Sequence, residues 1–459
     1  MTSLSPILAL ARTGATQRAW DAFLAAGLEE AQNVSALTLK GRLLKDRARQ
    51  AAGAERASLY AQAGAAYAAA ARLRPDSYPL INAAAMALFA GDGASAASIA
   101  RDVLTLIDGD PAQGETPYWR EATRAEALFL LGREAEAQAS LASAIKAAPL
   151  AYEDHAATLR QFAAISAKTA TDAVWLDAHR PPPSLHYRGI MGIAADDRTT
   201  TETISDAVAE MAPGFAFGAL AAGADLIIAE AVLAQGGELH AVLPTDIETF
   251  RESSVLPYGN AWTARFDAIL DKAHSLTLCS HTMQMSHAAI RLTDYQAMGM
   301  AAHHASLLES KAIGLRVGPE GRSIDNDPWM QSGRQVRTVA VPDAMSNPAP
   351  DLAEGVLLFL LALGGDAPFA DPIGYASLAQ ALPAIPEGGQ AALDCTIDGD
   401  RSTVAALLRN AGPGRIFASQ SAAMALMAEG RCSRIEPLGE IDAVAGAVGV
   451  YAVWLDGTG

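Results

Sequence analysis

The chain is poor in cations: 34 lysines and arginines stand against 51 aspartates and glutamates over 459 residues, a net charge of −17. So acidic a surface repels phosphate backbones, which argues against a nucleic-acid partner. Cysteine is scarce as well. Cys279, Cys395 and Cys432 are scattered and odd in number, and no CxxC occurs, so neither a disulfide framework nor a structural zinc site is expected. Long apolar runs are missing. The run 356–363 is far shorter than a membrane span, and no basic stretch precedes the short apolar run near the N-terminus, as a signal peptide would require. These absences predict a cytoplasmic protein that engages no membrane. What is abundant is hydrophobic sequence, 51% of residues, enough to build real cores and to exclude global disorder.

Residues 1 to about 177 are alanine-rich and helical in period. Segments 61–75, 82–101 and 127–149 place small residues where paired helices must approach closely, and Pro75 and Pro149 end helices. The last two segments carry a glycine turn into a second helix. This pattern resembles tetratricopeptide repeats, which recur at roughly 34 residues, and the resemblance implies a protein partner. An irregular helical bundle is the plainer alternative. The triple proline 181–183 closes the region, because it cannot continue a helix.

After it, strands alternate with helices. Expected strands are 185–192, 275–279 and 312–318, and expected helices 203–212, 262–273 and 295–310, with a complete βαβ unit over 214–244. Such alternation predicts a doubly wound parallel sheet. The turn from Ala221 to Asp225 has no bulky side chain and opens a helix. Its free N–H groups would suit an anion, which makes a nucleotide or phosphate pocket the leading expectation. Gly189, Gly218 and Gly223 would let a ligand approach the backbone, although tight turns explain such glycines equally. Asp225 reads as a pocket residue or as an N-terminal cap. Glu230 faces either pocket or solvent. Arg251, with Ser253 and Ser254, follows a strand's carboxyl end and could fork onto a phosphate, or else pair with Glu248 or Glu252. Arg188 and Arg265 complete the candidate ligand-binding set with Ser254. Cys279, His281 and His287 lie close in sequence, and His303 and His304 are adjacent. Adjacent helix positions point about 100° apart, so no metal site is expected from them.

This middle region, about 184–333, resembles the SLOG superfamily, which joins the DNA-processing protein with the lonely-guy phosphoribohydrolases and bacterial nucleotide-sensing domains. Gly189, the turn at Ala222, Gly223, Ala224 and Asp225, then Glu230, 243–255 and 262–266 carry the resemblance. It implies a Rossmann-like domain binding a nucleotide or nucleotide derivative. The phosphoribohydrolases' Pro-Gly-Gly-x-Gly-Thr-x-x-Glu run is absent, and 318–325 stands in its place. N-glycosidic cleavage thereby loses its main support. Hydrolysis of a nucleotide such as NAD, with Glu230 or Asp225 as acid/base, remains the enzymatic alternative.

The third region, 335–459, reads as α+β, with strands at 336–341, 414–419 and 449–454 and helices at 351–363, 402–411 and 421–429. Segments 399–408 and 412–419, with 435–439 and 450–453, resemble the last third of a class III adenylate/guanylate cyclase domain. Thr403 and Leu407 stand where that family carries Asn and Arg. Asp343 and Asp366 are poor relics of its two metal-binding aspartates. The resemblance implies a cyclase-like domain without cyclase chemistry, and a homodimer through a retained interface. An unrelated α+β module is the alternative. The combined expectation is a non-enzymatic nucleotide sensor or scaffold of bacterial signalling or defence, with a 1–180 repeat domain for a protein partner. A pure interaction scaffold without ligand is the other non-enzymatic possibility.

Overall fold

The computed structural model describes residues 4–12, 15–110, 112–114, 116–279, 285–321, 327–342, 352–364, 371–412, 414–443 and 446–456. The chain divides into two compact units, Met1–Pro181 and Pro182–Gly459. No helix among the described residues is long and apolar enough to cross a membrane.

The first unit is helical: α1 (Ser5–Arg12), α2 (Thr16–Ala25), α3 (Val34–Gln50), α4 (Gly53–Leu73), α5 (Ser77–Ala90), α6 (Gly93–Gly109), α7 (Pro117–Leu130), α8 (Glu134–Ala147) and α9 (Tyr152–Thr169). Local chemistry sets the ends. α4 and α8 stop just ahead of Pro75 and Pro149, whose rings would clash with a continuing helix. The side chains of Asp76, Asp92 and Thr116 accept N–H bonds at the starts of α5, α6 and α7. Gly91, at φ 98°, ends α5. From α3 to α8 each helix packs on the next, and α5, α7 and α9 also touch one another, so alternate helices share a layer. The small residues serve this packing. The Tyr67 ring lies over Gly41, where a Cβ would sit 2.8 Å from it.

The second unit begins with β1 (Ser184–Gly189), α10 (Arg198–Met211), β2 (Phe215–Gly218), α11 (Ala224–Ala234), β3 (Glu238–Leu243), α12 (Ile247–Ser254), α13 (Asn260–Leu270) and β4 (Ser275–Leu278). It continues through α14 (His287–Leu307), β5 (Ala312–Gly318), α15 (Pro328–Gln331) and β6 (Gln335–Ala340). Its first sheet is parallel, in the order β4-β3-β2-β1-β5-β6. The chain steps outward from β1 to β4, then returns through α14 to lay β5 on the other side of β1. That reversal is the topological switch point, where open α/β sheets bind ligands beyond the strands' carboxyl ends. Leu185 and Tyr187 of β1 join the core made with α10 and α11, and α14 lies along β1, β2, β3 and β5.

The remaining elements are β7 (Leu358–Leu363), β8 (Ile373–Tyr375), α16 (Leu378–Ala381), β9 (Ala391–Thr396), α17 (Ser402–Asn410), β10 (Ile416–Ser419), α18 (Gln420–Ala428), β11 (Cys432–Ala443) and β12 (Gly446–Leu455). They form a mixed sheet, β11-β12-β10-β9-β7-β8, in which β9 and β10 are parallel and the other pairs antiparallel.

Two expectations are corrected. The strand read as opening the third region is β6, paired with β5 from Ile313↔Gln335 to Gly318↔Ala340, so the parallel sheet extends beyond residue 333. Of the helix expected over 351–363, the described residues 352–363 form none: Leu358–Leu363 is strand β7, held by β8 on one side and β9 on the other. A strand buried on both faces is continuously apolar, and periodicity alone cannot tell it from a buried helix. Leu407 of α17 packs in the second sheet's core and Thr403 is buried beside it, which accounts for both residue types structurally. Asp343, Asp366, His281 and 322–325 lie outside the described residues.

Candidate functional site

A cavity of about 570 Å³ opens at the carboxyl edge of the parallel sheet, lined from β1, β2, β5, β6 and α14. That volume suits a small organic ligand; such pockets run from about 300 to 1,000 Å³. The strands bring charge to it. Alternation along β1 sends Ser184, His186 and Arg188 to the face opposite Leu185 and Tyr187. Ser184 bonds to His304 of α14 at 2.9 Å, so this is the α14 face. Arg316 of β5 stands in register with Arg188, which puts two guanidinium groups on neighbouring strands.

Two carboxylates neutralise them. Asp327, the N-cap of α15, takes Arg316 Nε at 2.5 Å and Arg188 Nη2 at 3.1 Å. Asp294 of α14 takes Arg188 Nη1 at 2.6 Å and His186 Nε2 at 3.0 Å. Arg316 and Asp327 are buried, whereas the Arg188 side chain is 45% exposed. Burial alone would raise the pKa of Asp294. The His186 hydrogen bond, then the charge His186 carries once the pH is low enough to titrate this carboxyl, and the charges of Arg188 and Arg316, outweigh it and hold the carboxyl well below the usual range. Asp327 is lowered on the same pattern, burial being overcome by Arg316 and then Arg188. Burial, with the Arg316 charge, pushes His186 down to about 4, against the pull of Asp294. The imidazole is therefore neutral at pH 7 and donates Nε2–H to Asp294. Its Nδ1 is buried with no hydrogen-bond partner among the described residues.

The small-residue turn behaves differently. Three of its N–H groups are already engaged: Ala222 donates to the Ser254 carbonyl and Ala224 to the Ile190 carbonyl, each at 3.0 Å. The Asp225 carboxyl takes the N–H of Gly189 at 3.0 Å and that of Ala221. The expected grip on an anion is thus not offered by Ala221, Ala222 and Ala224. Nor is Asp225 an N-cap; it ties α11 to the end of β1. Burial pushes its carboxyl up to about 8, against those two N–H bonds. Gly223 has φ +85°, and a Cβ there would lie 2.6 Å from the Ile190 carbonyl oxygen. A Cβ on Gly189 would strike Ala224, and one on Gly218 would meet the Tyr187 ring at 2.7 Å. All three glycines are therefore required by packing.

Of the candidate residues, Arg188, Gly189, Gly218, Asp225 and Ser254 line the cavity. Gly223 sits behind it, under the segment that follows β1. Glu230, Arg251 and Arg265 are not among the lining residues. Arg265 pairs with Glu230 through Nε at 2.8 Å and stacks 4.1 Å over Trp262. Trp262 Nε1 donates to Ile193 at 3.2 Å, so this cluster fixes the segment after β1. Arg251 pairs with Asp267 at 3.2 Å and Glu248 at 3.5 Å, the salt-bridge alternative. Sequence reading missed His186, Asp294, Arg316 and Asp327. One signal was available: an arginine inside the apolar strand Ala312–Gly318 must find an acid when buried. Among the described residues no group of three or more His, Cys, Asp or Glu side chains is disposed to hold a metal ion.

No curated protein matches the chain. Residues 5–87, which span α1 to most of α5, match the model of the family described as Tetratricopeptide Repeats-Sensor.

Proposed function

We propose that the protein is a ligand-responsive interaction scaffold: the helical repeats take a protein partner, and the parallel-sheet region binds a small phosphorylated ligand at its switch point. The observation carrying this reading is Arg188. Arg316 already satisfies Asp327, and His186 already serves Asp294, so Arg188 is the half-exposed member of the network and can turn to an incoming anion. The apolar remainder of the wall, including Met191, Phe250, Met285 and Val339, suits a base or sugar face. Together with the SLOG-like pattern of the region, this favours a nucleotide or nucleotide derivative with its phosphate on Arg188.

Tetratricopeptide-type repeats generally mediate protein interactions. In this chain a polar ladder crosses alternate helices: Lys45 of α3 donates to Asn82 of α5, and Gln161 of α9 to Glu126 of α7. Such groups suit a peptide's backbone and side chains. The cyclase-like reading of the last sheet supplies packing or a homodimer contact and no catalysis. Turnover has little support, because Glu230 is committed to Arg265 and Asp225 to two backbone N–H groups.

The test is to identify what copurifies with the protein, then to measure thermal stabilisation by AMP, ADP, ATP, NAD and inorganic phosphate. Stabilisation without turnover is expected. Product formation from labelled NAD or ATP, lost in Glu230→Gln, would replace this reading with the hydrolase.

A further inference from the structure

Arg188 has a second property, and it rests on the ligand reading above. Its two acid partners sit on the two segments that also hold α18 of the second sheet. Asp294 belongs to α14. The next residue, Tyr295, donates its hydroxyl to Glu429 at 3.0 Å and meets Phe359 edge-on. One turn further, Gly299 presses directly on the backbone of Met424, with no room for a Cβ. Asp327 opens the other segment. Trp329, fully buried, stands 5.5 Å from the His186 ring and under the Arg334 guanidinium. Arg334 in turn donates to the Met427 and Ala428 carbonyls, the last of α18, at 2.6 and 2.7 Å. The Met427 carbonyl also takes the Gly430 N–H at 3.2 Å, and a cation at this carboxyl end of α18 meets the favourable side of the helix dipole.

We propose that Arg188 is the link through which occupancy of the cavity reaches the second sheet. With the cavity empty, its guanidinium cross-links α14 to the segment Asp327 opens, and both hold α18. An anion that takes Arg188 removes the cross-link. Asp294 and Asp327 keep His186 and Arg316, so the parallel sheet stays intact while α14 and the 327–334 segment become free to shift independently. The second sheet is then the element that reports binding. Such coupling is reciprocal: freeing α18 must alter the affinity of the cavity.

The test is hydrogen exchange on the whole chain. In Arg188→Met, amides of 420–428 should exchange about threefold faster or more, while β5 (312–318) and α17 (402–410) hold their rates. Arg188→Lys keeps the charge but can hold one carboxylate at a time, so its effect on 420–428 should be smaller and in the same direction. Arg334→Met should speed both 420–428 and 327–331. An unchanged α18 in Arg188→Met overturns the proposal, and so does an equal rise in β5, α17 and α18, which would mean general loosening. No ligand is added, so this failure stays separate from failure to find a ligand in the thermal-shift series.

Discussion

The turn after β2 and the end of β1 are neighbours on one sheet edge, and they answer to opposite demands. The turn is made of small residues, and its N–H groups at Ala221, Ala222 and Ala224 are bonded within the protein. The end of β1 is charged, buried on one side and half open on the other, with Arg188 shared between two aspartates. Small residues ahead of a helix mark close packing as readily as a ligand. A buried charge is more telling, because it must be matched at a cost of several kcal/mol, and the matching leaves a trace in the geometry.

The comparison can be broken by substitutions on either side of it. The largest effect is expected from Asp327→Ala, which strands the buried Arg316. Breaking a buried pair on one side costs about 3–5 kcal/mol, read as a shift in denaturant unfolding of the second unit. Gly223→Ala comes next. Its φ of +85° and the Ile190 carbonyl oxygen 2.6 Å from the new Cβ leave no relief, and a loss of about 2–4 kcal/mol is expected. A mild effect would show that the segment after β1 can move away from the turn and that close packing does not fix Gly223. Arg188→Met should cost about 1 kcal/mol or less, since the side chain is 45% exposed.

Asp225 gives a pH signature. Its folded carboxyl keeps its proton up to about 8, whereas in the unfolded chain it loses it near the ordinary value of about 3.9. The native state therefore binds more protons across that window, and stability falls as pH rises through it. Asp225→Asn should remove this slope. Asp294, shifted downward, acts in the other direction and at lower pH: its contribution is present above the ordinary carboxyl value and is lost as pH falls below it. The smallest effect belongs to Arg251→Met, which breaks partly exposed surface pairs and should change stability by about 0.5 kcal/mol or less.

How much of this was legible follows from the separation of the groups involved. Helix ends set by Pro75 or Pro149, and the glycine turn at Gly91, are local and could be read directly. So could the strand-helix alternation that gives the parallel sheet. β7 could not, because a doubly buried strand has no period of its own, and β6 was assigned to the wrong region because, among the described residues, only the four-residue helix α15, and no long crossover helix, stands before it after β5. For the site, the turn and Arg188, Gly189, Gly218, Asp225 and Ser254 drew attention through local pattern. The network did not. Arg188 meets Asp294 and Asp327 across 106 and 139 positions of sequence, and no local pattern records such pairs. Arg265 and Glu230 misled because a loop clamp and a phosphate fork use the same residue types.

The central claim is that Arg188 receives an anion in the switch-point cavity. Its most direct measurement is calorimetric titration of the nucleoside phosphate that stabilises the protein most, into the parent chain, Arg188→Met and Arg251→Met. The account predicts that affinity falls about tenfold or more in Arg188→Met, the scale of one lost charge-assisted contact, and is unchanged in Arg251→Met. Equal affinity in the parent chain and Arg188→Met would contradict it.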